Sequence, residues 1–169
     1  MKKFVLVIGL LFASLALANE HVKLDRAPID PNNQASLQRG AKYFVNYCLN
    51  CHSAMSMRYN RLMDIGLTEA QIKSNLMYAS EKVGDTMTVA MPKADAKLWF
   101  GATPPDLSVE ARARGADWLY SFLMGFYQDE KRPTGSNNLY FPTTAMPAVL
   151  SRLQGIQVLK PAAEGDAAH

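Results

Sequence analysis

The amino-acid sequence predicts a mainly α protein, a single domain of helices joined by long loops. Three observations lead there. Apolar residues return at three- and four-residue spacing in several separate stretches, which is the period of a helix buried along one face. Proline and glycine clusters punctuate the intervening segments, as in Gly101-Ala102-Thr103-Pro104-Pro105 and Pro133-Thr134-Gly135. Of the 169 residues, the first 18 read as a leader, and the remaining chain of about 150 is long enough for one domain with its own core.

The leader is built from Lys2 and Lys3, an apolar run from Phe4 to Ala13 and the small-x-small sequence Ala16-Leu17-Ala18. Its apolar stretch falls short of the roughly eighteen residues that suggest a membrane span. Cleavage after Ala18 is expected, with retention as an anchor the alternative. The formal net charge of +3 comes partly from those two lysines, so the body of the protein is close to neutral. It carries no basic patch of the kind that binds nucleic acid.

Cys48-Leu49-Asn50-Cys51-His52 is the centre of the sequence. Two thiols three residues apart on a helix face the same way, where each can form a thioether with a haem vinyl group while the adjoining imidazole reaches the iron. A redox dithiol does not require that histidine and usually lies in a βαβ pattern, which is missing here. A zinc site needs four nitrogen or sulfur ligands, and the chain has two cysteines and three histidines, His21 near the start and His169 at the end. One covalent haem c is therefore the expected cofactor, with Cys48 and Cys51 its attachment points and His52 an iron ligand.

Taken in order, Asn19 to Asn33 is polar, contains Pro28 and Pro31, and reads as an irregular arm. A helix capped at Asn32 or Asn33 follows, with Leu37, Ala41, Phe44, Val45 and Cys48 on one face. Met55 and Met57 lie too close to His52 to pass round a haem and are expected to be packing residues. Thr68-Glu69-Ala70-Gln71 is a capping box for a helix carrying Ile72, Leu76 and Met77. Met87, Val89 and Met91 alternate as an extended piece, and Lys93 to Phe100 forms a short helix.

Ser108 is expected to cap a brief helix that carries Arg112 and Arg114 and ends at Gly115. Ala116 to Asp129 is the strongest helical stretch, with Trp118, Leu119, Phe122, Leu123 and Phe126 on one side, suited to wall a porphyrin or simply to form core. Lys131 to Ala145 reads as a turn-rich loop. Pro147 suits the first position of a helix running through Leu153 to a stop at Gly155. Residues 156–169 read as a tail, its last nine residues alanine-rich and polar and expected to be disordered.

The second iron ligand is left to methionine, to a weaker group or to nothing. Two Met-Pro pairs in loops are candidates, Met91-Pro92 and Met146-Pro147. Met146 is favoured by lying beyond the helices needed to wrap the ring, although most methionines are core fillers.

These residues also resemble a known family. Tyr47-Cys48-Leu49-Asn50-Cys51-His52-Ser53, Met57-Arg58-Tyr59-Asn60-Arg61-Leu62, Gly84-Asp85-Thr86-Met87, Trp99-Phe100-Gly101-Ala102, Pro104-Pro105-Asp106-Leu107-Ser108, Arg112-Ala113-Arg114-Gly115-Ala116-Asp117-Trp118 and Arg132-Pro133-Thr134-Gly135 are similar to proteobacterial cytochrome c1. The similarity runs from about Val22 to Gly155. It implies a cytochrome c-like haem domain over residues 19–155, Met146 as the distal ligand, Arg114 near a haem propionate, and Pro105 and Trp118 lining the haem pocket.

The family departs from this chain at Ser136, where it usually carries Trp, and at Ala148 and Ser151, where it usually carries His and Trp. It also continues beyond this chain's last residue, with a further helical segment and a C-terminal membrane helix. The resemblance implies one-electron transfer within a quinol:cytochrome c reductase, the cytochrome bc1 complex, on the periplasmic side of the inner membrane. Cytochrome b and the Rieske iron–sulfur protein would be the partners, cytochrome c the acceptor, and the complex the link to the membrane. No residue is expected to act as acid, base or nucleophile on a substrate. Two alternatives remain: a stand-alone periplasmic or signal-anchored monohaem carrier, and a gas-binding haem sensor if Met146 is not a ligand.

Overall fold

The computed structural model describes residues 23–160. The leader over residues 1–18, His21, and the last nine residues including His169 lie outside them. The protein is mainly helical, as expected. Its helices are short and are joined by two small antiparallel ribbons that periodicity did not reveal.

Helix α1 spans Gln34–Tyr43 and starts where the sequence placed it, because the Asn33 side chain accepts from the Ser36 amide at 3.0 Å. It passes without a break into a π-helical turn, Phe44–Cys48. The wider turn ends in Cys48 and then closes tightly, with the amides of Cys51 and His52 both donating to the Cys48 carbonyl at 3.1 and 2.9 Å. No residue of α1 is buried; burial begins with Val45 and Leu49.

Immediately after the motif the chain becomes extended. Strand β1, Ala54–Arg58, pairs with β2, Thr86–Met87. Met55 consequently points into solvent, 59% exposed, and Met57, 38% exposed, borders an open apolar cavity beside Leu62 and Leu107 instead of being enclosed. The expectation failed because strand pairing alternates side chains across the ribbon, and only Ala54 and Met87 face the core. A 3-10 segment, Tyr59–Ile65, turns the chain back and presents Tyr59 and Leu62 inward. The Gln38 side chain donates to the Ile65 carbonyl at 2.8 Å and ties α1 to this turn.

Helix α2, Glu69–Asn75, has the capping box read from the sequence: Thr68 accepts from the Gln71 amide while the Gln71 side chain accepts from that of Thr68. Ile72 is fully buried beneath it. With Val45, Leu49, Ala54, Tyr59, Leu62, Leu76 and Met87 it forms the apolar core. Helix α3 is Lys93–Phe100, as expected. Helix α4 is Glu110–Arg114, preceded by Val109 and not capped by Ser108. The Ser108 hydroxyl is occupied elsewhere, accepting from the Ser56 amide at 2.9 Å.

Helix α5 covers Ala116–Met124 and ends five residues earlier than expected. Gly125 stops it, and a side chain there would meet the Tyr140 ring, since an added Cβ would lie 2.6 Å from Cδ2. Phe126 then opens β3, Phe126–Gln128, which pairs with β4, Ser136–Asn138, inside what the sequence presented as loop. Helix α6 is one turn, Ser151–Gln154; Pro147 lies four residues ahead of it. Gln157, from the tail expected after Gly155, accepts at its carbonyl from the Gln128 amide at 2.8 Å. No helix of the described residues is long and apolar enough to cross a membrane.

Replacing Thr68 with Ala removes one reciprocal cap of α2 and is expected to lower stability by about 1 kcal/mol. Thermal unfolding read by circular dichroism checks this; an unchanged melting temperature would mean the cap contributes nothing.

Candidate haem site

The site begins with His52. Its Nδ1 lies 2.7 Å from the Pro105 carbonyl oxygen. A carbonyl only accepts, so the ring donates from Nδ1 and a neutral imidazole keeps its lone pair on Nε2, the form in which it binds a metal ion. Pro105 can fill this role because the two consecutive prolines hold the backbone extended.

The segment after Pro105 then runs alongside the segment after His52. The Leu107 amide donates to the Ser53 carbonyl at 2.8 Å, the Met55 amide to Asp106 Oδ2 at 2.8 Å, and the Ser56 amide to Ser108 Oγ at 2.9 Å. On the other side the Val89 amide donates to Ser53 Oγ at 3.0 Å. The imidazole is thus fixed in direction from several residues at once. None of this bracing was legible from spacing, although Pro105 was reached through the family resemblance. Asp106, the residue that anchors it, was missed as a site-building group.

Cys48 and Cys51 are free and half-buried. Burial pushes both thiols up, and Cys51 adds to the effect at Cys48. A dithiol redox centre works through a lowered thiol pKa, so these surroundings argue against that rival. Among the described residues no three His, Cys, Asp or Glu side chains gather as a metal set. Neutral half-buried thiols beside an imidazole with a directed, available Nε2 fit a covalently attached haem.

Arg114 sits at the C-terminal end of α4. Its Nε donates to Glu110 Oε2 at 2.8 Å, and its guanidinium carbon lies 4.3 Å from the Trp118 ring centroid. Its terminal nitrogens make no hydrogen bond among the described residues, so the fork stays available to a carboxylate. Trp118 stacks on Phe122 with centroids 5.0 Å apart and planes 7° apart, and Phe122 meets Phe126 edge-on at 5.1 Å. The aromatic face read from the sequence is therefore partly core, with Phe122 and Phe126 buried and Trp118 at its half-exposed end.

Met146 is half-buried in the loop beyond β4, its amide donating to Thr144 Oγ1 at 3.3 Å. Met91 is also half-buried, beside α3. The structure thus joins His52, Pro105 and the two cysteines directly and links Arg114 to Trp118. Met146 belongs to a separate, hairpin-bound loop.

Hydrogen bonding from Ser108, followed by the amides of Met55 and Ser108, holds the Asp106 carboxyl below its ordinary value of 3.8. A depressed folded value means the ionised group stabilises the fold above the unfolded pKa, and that contribution disappears as pH falls through the folded pKa. Asp106→Asn should therefore melt below the parent protein at neutral pH, with the gap closing only under strongly acid conditions. Melting curves taken across pH check this; a gap independent of pH would show that the charge is irrelevant.

Comparison with known proteins agrees with the geometry. The model of the Cytochrome C1 family matches residues 25–156. An "Ammonia monooxygenase gamma subunit" of Nitrosomonas europaea is 55% identical over 95% of this chain and 69% of its own length. A "Cytochrome c1" of Allochromatium vinosum is 49% identical over 97% of the chain and 69% of its own. "Cytochrome c1, heme protein, mitochondrial" of Saccharomyces cerevisiae is 31% identical over 73% and 48%. With a match that runs from the N-terminal arm past α6 and takes in every residue of the site, the chain belongs to the cytochrome C1 family.

Proposed function

We propose that this protein is the electron-transferring haem subunit of a cytochrome bc1 complex, taking electrons from a Rieske iron–sulfur protein and giving them to a cytochrome c. Family membership supports the cofactor and the role: cytochrome c1 proteins carry one covalent c-type haem and transfer electrons. The observation that carries the assignment of residues is the His52–Pro105 hydrogen bond, which aims Nε2 away from the backbone beside two alkylatable thiols.

When bound, the haem supplies a one-electron ferric/ferrous couple. Cys48 and Cys51 would hold it by thioethers, and His52, kept in one tautomer by Pro105, would supply a nitrogen ligand to the iron. Met146 would supply the second ligand, a soft thioether that favours the reduced metal. Arg114, its guanidinium over the Trp118 ring, would pair its terminal nitrogens with a propionate. The side chains of the site bind and orient the group that carries the electron. It works at the periplasmic face of the inner membrane, reached by way of the N-terminal leader and held there with cytochrome b.

Two measurements test this. Denaturing extraction with acidified organic solvent should leave the colour on the polypeptide, and Cys48→Ala with Cys51→Ala should release it; loss of colour from the parent protein refutes covalent attachment. Gentle purification should bring cytochrome b and the Rieske protein along. A chain that travels alone would favour the stand-alone carrier, and one that arrives with a monooxygenase would favour the assembly named for the Nitrosomonas relative.

A further inference from the structure

We infer that the β3–β4 hairpin is the positioning device for the Met146 loop, with Asn138 and Arg132 as its fixed points. The inference rests on Met146 being the second iron ligand, as proposed above. Neither side chain is needed at the iron; both act through the backbone that presents the sulfur.

The loop between β4 and α6 has no regular structure to hold it. It also contains Thr143 at φ 65°, a left-handed conformation that a β-branched residue resists. Side chains of the hairpin hold both backbone polar atoms of that residue. Asn137 Oδ1 accepts from the Thr143 amide at 2.8 Å, and Arg132 Nη2 donates to the Thr143 carbonyl at 2.8 Å and to that of Thr144 at 3.4 Å. Beyond the methionine, Ser136 Oγ accepts from the Ala148 amide at 3.1 Å. Met146 is therefore gripped from both sides by a ribbon whose own strands are three residues long.

The ribbon is in turn fixed to α5 through Asn138, which has no exposed surface. Its Nδ2 donates to the Phe122 carbonyl at 2.7 Å, and its Oδ1 accepts from the amides of Tyr140 and Phe141 at 2.9 and 3.1 Å. One buried amide thus satisfies the end of α5 and the start of the loop together. Arg132 is half-buried beside the loop and directs its Nη2 at the carbonyls of Thr143 and Thr144.

The test uses the complete holoprotein. Two readouts report the iron–sulfur bond: the methionine charge-transfer band of the ferric protein, and carbon monoxide binding to the ferrous protein. Arg132→Gln and Asn138→Ala should weaken the band and raise the fraction that binds carbon monoxide roughly tenfold or more, as loss of a buried hydrogen-bond anchor implies. Thr68→Ala, a destabilising change in α2 remote from the hairpin in sequence, should lower the melting temperature and leave both readouts untouched. Should Asn138→Ala yield no folded protein, Arg132→Gln, at a partly exposed site, decides.

If these variants keep the parent's band and its resistance to carbon monoxide, the loop presents its sulfur unaided and the inference is wrong. If the unsubstituted protein lacks the band, or Met146→Ala leaves it intact, the ligand assignment itself fails, and the hairpin has nothing to position.

Discussion

The contact between His52 Nδ1 and the Pro105 carbonyl is the constraint from which the rest of the site follows. A histidine that is merely close to a metal can rotate; one that donates to a fixed carbonyl cannot. The carbonyl is fixed because the diproline segment is pinned along β1 by Asp106, Leu107 and Ser108. β1 is itself paired to β2 and seated on the core by Ala54. The direction of one lone pair therefore depends on a chain of hydrogen bonds that ends in the cluster around Ile72.

The molecule divides its labour between two kinds of cohesion. On the side of the cysteines the elements are held by apolar burial, with Tyr59, Ile72 and Met87 almost wholly enclosed. On the side of Met146 the buried aromatics Phe122 and Phe126 are joined by the buried polar side chains Ser121, Ser136, Asn138 and Thr144, and the loop is held by directional bonds between side chains and backbone. Packing tolerates small shifts, whereas a network of this kind fixes register and direction. Within that network the Ser136 hydroxyl accepts from the Ala148 amide and ties β4 to the chain just beyond Met146.

Much of this could be read in advance. The cofactor was explicit in Cys48-Leu49-Asn50-Cys51-His52, because covalent attachment requires those residue types at that spacing. The caps at Asn33 and Thr68 were equally plain, since each is a local bargain between one side chain and one turn of backbone. What escaped was pairing between distant segments. β1 looked like loop because its methionines face solvent, and β4 reads Ser136-Asn137-Asn138, a sequence with no apolar alternation at all. The end of α5 at Gly125 was hidden for a related reason: helical spacing continues through Phe126, and only the Tyr140 ring, brought in by the hairpin, shows why position 125 has no room for a side chain.

Helix α1 leads into the haem motif yet buries none of its own residues. Gly40, Ala41 and Phe44 line an open apolar cavity of about 280 Å³ together with Met57, Leu62 and Leu107. Segments with so little enclosed surface open at a small fraction of the cost of unfolding the whole domain. Backbone amides along α1 should then exchange with deuterated solvent well ahead of those around Ile72. The boundary falls just ahead of the cysteines, where Val45 and Leu49 seat the motif in the core and keep the thiols where the fold places them.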